Sequence, residues 1–320
     1  MRADAALRGP GRPGVTTALP FLCRRVWAGL RPRPGAAALV PFDPDALDSE
    51  GTLTWIGHAT FYVRLGGVAF LTDPVFSLWA SPLPFLGPRR LVPAGVPLER
   101  LRRLDFALVS HDHYDHCDLP TIRRLAARGV PFVVPSGVGE LIRDAGGQVA
   151  AELAWWHSVQ LAGATVTCVP ARHFSGRSLS DRNRRSWAGF VVSAGGRRVY
   201  HAGDSALFGG FAEIGRRAGP IDLACLPIGA YEPASIMRPV HLDPEQAVQA
   251  ALDLRAGAVV GMHFGTFDLT DEPLDEPPRR FLAEAARRGL AAASVMAIGA
   301  TRAFAHDAAL PDATRRVNAG

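Results

Sequence analysis

The sequence predicts a mixed α/β fold in which two β-sheets pack against each other with helices outside. Short apolar runs joined by Gly-containing turns indicate sheets built largely from hairpins. Helical stretches are interspersed among them, but the tight turns argue against a doubly wound parallel sheet. No G-x-G-x-x-G follows a predicted strand and opens a helix (the one match, Gly9–Gly14, lies in the Pro-rich arm), and no P-loop lysine occurs, so nucleotide-cofactor chemistry has no support. At 48% hydrophobic and 20% charged residues, the 320-residue chain can bury a substantial core.

The elements follow in order. Residues 1–47 form an Arg-, Pro- and Gly-rich arm, 48–306 the folded domain and 307–320 a tail. A secretory signal is not expected, because the apolar run Val26–Leu30 is cut short by Arg31-Pro32. Strands are expected at Thr52–Ile56, Phe61–Leu65, Val68–Leu71, Phe106–Val109, Phe132–Val134 and Thr165–Val169. Further strands fall at Trp187–Val192, Val199–Ala202, Leu223–Pro227 and Val259–Met262, with Gly195-Gly196 as a hairpin turn. Helices are expected at Leu119–Arg128 with Asp118 as N-cap, at Gly139–Ala145 and at Pro278–Arg288. Another starts at Asp243, where Pro244 and Gln246 complete a capping box.

All 35 basic residues are Arg, a compositional bias that weakens any reading of a single guanidinium. Residues 1–40 hold seven Arg and one Asp, a net of +6 against +5 for the whole chain. The basicity therefore belongs to the arm, and nucleic acid is not an expected partner. No apolar run reaches the roughly 18 residues of a spanning helix. In the arm, Leu19, Leu22, Cys23, Val26, Trp27 and Leu30 recur at helical spacing with Arg24 and Arg25 between them and Arg31 and Arg33 following. Such a segment suits the interface of an anionic membrane. Cys23, Cys117, Cys168 and Cys225 make no Cys-x-x-Cys pair, which fits a reducing, cytoplasmic setting, peripheral at the inner membrane face if the arm engages it. Cys117 is read as a buried side chain rather than a ligand.

The chemistry concentrates in Ser110-His111-Asp112-His113-Tyr114-Asp115-His116, directly after a buried strand. An extended strand end or a tight loop can aim the alternate side chains 111, 113 and 115 at one point, while His116 turns toward a second. Imidazole and carboxylate suit divalent zinc. His173, Asp204 and His263 each lie just beyond a predicted strand, where loops converge at a sheet edge.

This H-x-H-x-D-H pattern, with those three residues in order, resembles the metallo-β-lactamase superfamily. The resemblance implies a four-layer αββα sandwich with a dinuclear zinc site, with Mn²⁺ or Fe²⁺ as alternatives. It assigns His111, His113 and His173 to one ion, Asp115, His116 and His263 to the other, and Asp204 with a hydroxide as bridges. The resulting charge, near +1, favours a singly anionic phosphodiester.

A more specific resemblance covers residues 51–291. It rests on Gly57-His58-Ala59-Thr60, Leu71-Thr72-Asp73-Pro74, Ser81-Pro82, Gly87-Pro88-Arg89, Trp155-Trp156, Asp181-Arg182-Asn183, Pro227 through Pro233, Met237, His241 through Ala247, and His263 through Phe267. These resemble the N-acylphosphatidylethanolamine-hydrolysing phospholipase D group and its bacterial relatives. Asp112, Cys117, Phe174 and Phe264 depart from that pattern, and the two Phe flank ligands in the substrate region.

Asp73 is expected to orient a ligand His. His241, at a helix start, is expected to contact substrate phosphate or protonate a leaving group, and Asp115 to act with the metals in catalysis. Tyr231 is a candidate substrate contact. His58, His157 and His201 are read as structural, His306 as a surface residue, and Trp155 and Trp156 as core. The leading function is a dinuclear phosphodiesterase of phospholipase D type acting on phospholipid. A soluble lactonase or phosphate-sugar hydrolase is the alternative, and a non-catalytic metal-stabilised binding protein the alternative of another class. A homodimer is left open.

Overall fold

The first half of the chain is a run of strands whose alternate side chains enter two different cores. The computed structural model describes residues 34–83, 85, 87–178 and 180–304. In β1 (Thr52–Gly57), β2 (Thr60–Leu65) and β3 (Val68–Thr72), Leu53, Trp55, Phe61, Val63 and Phe70 point inward. Ile56, Tyr62, Ala69 and Leu71 point to the opposite face. β4 (Phe106–Leu108), β5 (Phe132–Pro135) and β6 (Val149–Leu153) continue this sheet, and β14 (Thr301–Ala303) closes it, giving the order β14-β1-β2-β3-β4-β5-β6. Period-two alternation with both faces buried explains why these strands read as nearly continuous apolar runs. The outer face is covered by α1 (Pro44–Asp48), α2 (Leu119–Ala126) and α3 (Gly139–Asp144), through Leu47, Ile122, Leu125 and Ile142.

The second sheet repeats the plan with β7 (Ser158–Leu161), β8 (Ala164–Val169), β9 (Gly189–Ala194), β10 (Arg197–His201), β11 (Ile221–Pro227), β12 (Ala256–Met262) and β13 (Ala293–Val295), in the order β13-β12-β11-β10-β9-β8-β7. In each sheet three antiparallel pairings are followed by three parallel ones; the first sheet reads β14–β1–β2–β3 then β3–β4–β5–β6. The second reads β7–β8–β9–β10 then β10–β11–β12–β13. Against it pack α4 (Gly210–Ala218), α6 (Pro244–Leu254) and α7 (Glu276–Arg287), through Phe211, Val248, Leu254 and Phe281. A short turn of helix, α5 (Ala234–Met237), precedes α6. The fold is thus the αββα sandwich.

Asp243 caps α6 in a full capping box with Gln246. Asp118 stands at the N-cap position of α2 but makes no side-chain bond to that helix's backbone. Its carboxylate instead accepts from the backbone N–H groups of Phe76 and Ser77 and from the Ser77 and Thr121 hydroxyls. It ties a loop to the helix rather than capping it. The packed body also begins ahead of residue 48, where the sequence places its start. Ala37 N donates to Gly265 O, Val40 N donates to Ile298 O, and α1 lies on the sheet. The helical spacing noted at 19–30, His306 and the tail lie outside the described residues. Among the described residues no helix is long and apolar enough to cross a membrane.

β1, β3, β4, β8, β10, β11 and β12 all end at one edge of the sandwich, as the strand directions require. Every candidate site residue lies just past one of those ends or in a loop beside them.

Candidate metal centre

The loop after β4 places the first ligands. His113 O accepts from both His116 N and Cys117 N, at 3.1 and 2.7 Å, so the chain turns sharply after His113. The turn alters the simple alternation expected along an extended segment. His111 and His113 face one position, while Asp115 joins His116 at the other.

His111 Nε2 and His173 Nε2 lie 2.9 and 3.2 Å from His113 Nδ1, and 3.8 and 3.7 Å from Asp204 Oδ2. On the other side His116 Nε2 is 3.3 Å from Asp204 Oδ2, and His263 Nε2 is 3.2 Å from Asp204 Oδ1. The same two nitrogens are 3.7 and 3.5 Å from Asp115 Oδ2. A tetrahedron with metal–ligand bonds of about 2.0–2.1 Å has edges of about 3.3 Å, so both clusters have the spacing of a metal's ligand shell. Buried His116 Nε2, His263 Nε2 and Asp204 Oδ1 have no hydrogen-bond partner, which a cation would satisfy. Asp204 faces both clusters.

The electrostatics suit cation binding. Burial, then the neighbouring imidazoles, pushes His111 well below its ordinary range and keeps it a neutral lone-pair donor. Burial has the same effect on His173. Burial alone would raise the Asp204 and Asp115 carboxyls, but the surrounding histidines more than reverse this and hold both well below the usual carboxylate range. Burial also opposes charge on His263, yet Asp204 and Asp115 bring it up to about 9. The anionic pair thus draws positive charge toward itself.

Asp73 sits beneath the cluster, completely buried. Its Oδ2 accepts from Ser110 Oγ at 2.7 Å and from His116 Nδ1 and His201 Nε2 at 2.8 Å, and its Oδ1 accepts from Ser110 N at 2.6 Å. Ser110 Oγ in turn accepts from His111 Nδ1 at 2.9 Å. Asp73 therefore aims the Nε2 atoms of His116 directly and of His111 through Ser110. His173 is oriented by Nδ1 donating to Val240 O at 2.9 Å. Gly203 allows the Asp204 loop to close on this hub: its φ is +57° and a Cβ there would fall 2.6 Å from Ser110 Cβ.

His58, read as structural, belongs to the site. Its Nε2 is 3.0 Å from Asp115 Oδ2, and its ring lies 3.9 Å from that of His263. Burial, then His263, lowers its pKa to about 3, so the neutral ring donates to Asp115. The missed signal was its place in the β1–β2 turn, at the same edge as the candidate ligands. His58, Asp73 and His263 all have positive φ, a strained choice for non-glycine residues that clusters at functional sites. His241 Nδ1 is 3.9 Å from Asp204 Oδ2 and has no hydrogen-bond partner. Burial pushes His241 down to about 4.

Other residues fall away from this centre. The Tyr231 hydroxyl donates to Glu276 at 2.8 Å with Arg280 over its ring. Asp112 is buried but faces Gly176 N and Arg185, closing the loop after β8 rather than meeting the cluster. Cys117 is buried, its thiol pushed up to about 12 by burial, and belongs to neither ligand group. His157, expected to be structural, is exposed, because the turn before edge strand β7 faces solvent. Trp155 and Trp156 pack at the margin of the core, as expected. Of the two Phe that depart from the family pattern, Phe174 lies against His113 and His173, with ring centroids at 4.5 and 4.9 Å. Phe264 packs on Trp55.

Fold and site together define a class. A family profile described as "Beta-lactamase superfamily domain" matches residues 69–264, and the chain belongs to that family. N-acyl-phosphatidylethanolamine-hydrolyzing phospholipase D 1 of Caenorhabditis elegans is 38% identical over 296 residues, 83% of this chain and 81% of that protein. An uncharacterised protein of Mycobacterium tuberculosis is 44% identical over 243 residues, 74% of this chain; the match spans 64% of that relative's length. Among solved structures, Igni18, a metallo hydrolase from Ignicoccus hospitalis, superposes with a TM-score of 0.60 at 26% identity, covering 80% of this chain and 99% of its own.

Proposed function

We propose that this chain is a dinuclear metal-dependent phosphodiesterase of phospholipase D type, acting on N-acylphosphatidylethanolamine-like lipids, with zinc as the favoured ion. The observation that carries the reading is the placement of the Asp204 carboxylate, 3.8 and 3.7 Å from His111 and His173 Nε2 on one side and 3.3 and 3.2 Å from His116 and His263 Nε2 on the other. The worm relative's activity supports the substrate class. A bound pair of divalent cations would polarise phosphoryl oxygens and lower the pKa of a water.

The chain's own residues supply the rest. His111, His113 and His173 would hold one ion, and Asp115, His116 and His263 the other. With Asp204 between them, two carboxylates leave a net positive centre that attracts a singly anionic phosphodiester. His58 fixes Asp115. His241, with a ring nitrogen free of protein partners, donates a hydrogen bond to a substrate oxygen, and Phe174 forms an apolar wall beside the His113–His173 cluster. The test is turnover by metal-reconstituted protein of N-acylphosphatidylethanolamine, bis(p-nitrophenyl) phosphate and a panel of lactones. Hydrolysis of the phosphodiesters supports the reading. Lactone hydrolysis without phosphodiester cleavage sinks the substrate class, and no turnover of any of them points to a binding protein.

A further inference from the structure

Beside the ligand loop stands a narrow hairpin with an apolar tip. Its arms are paired: Ala80 N donates to Pro88 O at 3.0 Å, Arg90 N donates to Leu78 O at 2.7 Å, and Trp79 lies opposite Arg89. The arms approach so closely that a Cβ on Gly87, where φ is +109°, would fall 2.9 Å from Ser81 Cβ. The base is fixed. Buried Arg90 donates through Nη2 to Val75 O and through Nε to Ser77 O, and Asp118 holds Ser77 from the helix side. The hairpin is therefore a braced projection.

Its apolar exposure runs from Leu78 at the base to Leu83 and Phe85 at the tip. Phe85 is 81% exposed, Leu83 56% and Leu78 48%, half of the six exposed large hydrophobic side chains among the described residues. Trp79 packs edge-on to Phe85 at 6.5 Å. Exposed apolar side chains gathered in one patch often mark a binding surface. Together they present roughly 350 Å² of apolar surface, well short of the about 800 Å² per partner of a stable protein interface. Arg89 on the hairpin and Arg123 on α2 are both exposed and pair with no carboxylate among the described residues. Arg123 lines a cavity of about 530 Å³ beneath the hairpin together with Leu78, Trp79 and Pro82. The same cavity is walled by Tyr114, which lies between ligands His113 and Asp115. A small apolar tip with unpaired cations at its flank matches the interface of an anionic bilayer, where apolar groups enter the acyl region and guanidinium groups meet lipid phosphates.

We infer that Leu83 and Phe85 of this hairpin insert into the surface of a phospholipid bilayer and seat the metal centre beside it, with Arg89 and Arg123 as the headgroup contacts. The inference deepens the lipid-hydrolase reading and gives it a docking face. It is tested on the full-length protein by flotation with phosphatidylcholine vesicles, with and without phosphatidylglycerol, and by turnover of water-soluble bis(p-nitrophenyl) phosphate. The double variant Leu83→Ser/Phe85→Ser should lose about tenfold or more in vesicle partition, with an unchanged melting temperature and unchanged turnover of the soluble ester. Arg89→Gln/Arg123→Gln should weaken binding only to vesicles containing phosphatidylglycerol.

Wild-type binding that survives the apolar double variant overturns the inference, as does absence of wild-type binding. A wild-type dimer on gel filtration that the same variant dissociates assigns the tip to a second copy and also overturns it. Hairpin-dependent binding without hydrolysis of any phosphodiester leaves the docking face standing and removes the lipid-hydrolase reading instead.

Discussion

Asp73→Asn isolates what the buried carboxylate contributes, because it keeps the shape and removes the charge. The Oδ2 atom takes three donors, Ser110 Oγ, His116 Nδ1 and His201 Nε2, and Oδ1 takes Ser110 N. The least damaging placement puts the amide oxygen at the Oδ2 position. Three bonds then fall from charge-assisted to neutral strength, a loss of about 1 kcal/mol each, and the amide NH₂ meets the Ser110 N–H donor, costing about 1–3 kcal/mol more. The sum is about 4–6 kcal/mol, a large part of a typical stability of about 5–15 kcal/mol. At about 2–4 °C per kcal/mol the melting temperature should fall by roughly 10 °C or more. His116 and His111 lose their aim, so metal affinity should fall by about 10–100-fold. Calorimetry with and without metal, and competition against a chromophoric chelator, measure the two effects. The reasoning is refuted if the variant melts within about 2 °C of wild type and binds metal with wild-type affinity. The pH dependence has a definite sign. Burial would raise the Asp73 carboxyl, but His201 and His116 hold it below its ordinary value. Its stabilisation is therefore present at neutral pH and lost as pH falls through the acid range, and Asp73→Asn should flatten the acid limb of the stability curve.

The purified protein should hold close to two divalent ions per chain and lose turnover to a strong chelator; elemental analysis checks the first and an activity assay the second. Asp115→Asn and Asp204→Asn should each lower kcat by about 10²-fold or more with the circular dichroism spectrum unchanged; near-wild-type turnover with both ions bound would remove the roles assigned to them. Cys117→Ala should leave metal content unchanged, since its thiol belongs to neither ligand group. Removing residues 1–33 should weaken binding to anionic vesicles at low salt more than at high salt, because the contribution of the arm's arginines is screened.

The sequence made the central strands and the candidate ligands legible for one reason: strands buried on both faces leave uninterrupted apolar runs, and His and Asp at their ends stand out. Phe106–Leu108 leading into His111 is the clearest case. The edges were not legible. β6, Val-Ala-Ala-Glu-Leu, and β7, Ser-Val-Gln-Leu, are partly exposed and lack the apolar density that marks a strand. α4 begins at Gly210 and contains Gly215, so its helical signal is weak although Phe211 and Ile214 are buried. His58 escaped because a lone histidine in a turn carries no spacing pattern; only the pairing of β1 with β2 brings it to Asp115. The split of Asp115 from His111 and His113 depends on the four-residue turn from His113 to His116, which side-chain alternation does not encode.

The two sheets share one plan of strand directions, and the residues of the site are divided between them. His58, Asp73, His111, His113, Asp115 and His116 come from the first half of the chain, and His173, Asp204, His241 and His263 from the second. An ion held by His111, His113 and His173 spans that division, and so does one held by Asp115, His116 and His263. Each would act as a removable rivet between the halves, adding its binding free energy to their docking. The seam, rather than either sheet alone, is then where metal supply becomes mechanical cohesion. Loss of metal would show first as faster amide exchange along the edge shared by the two sheets, ahead of any exchange from strands deep within either one.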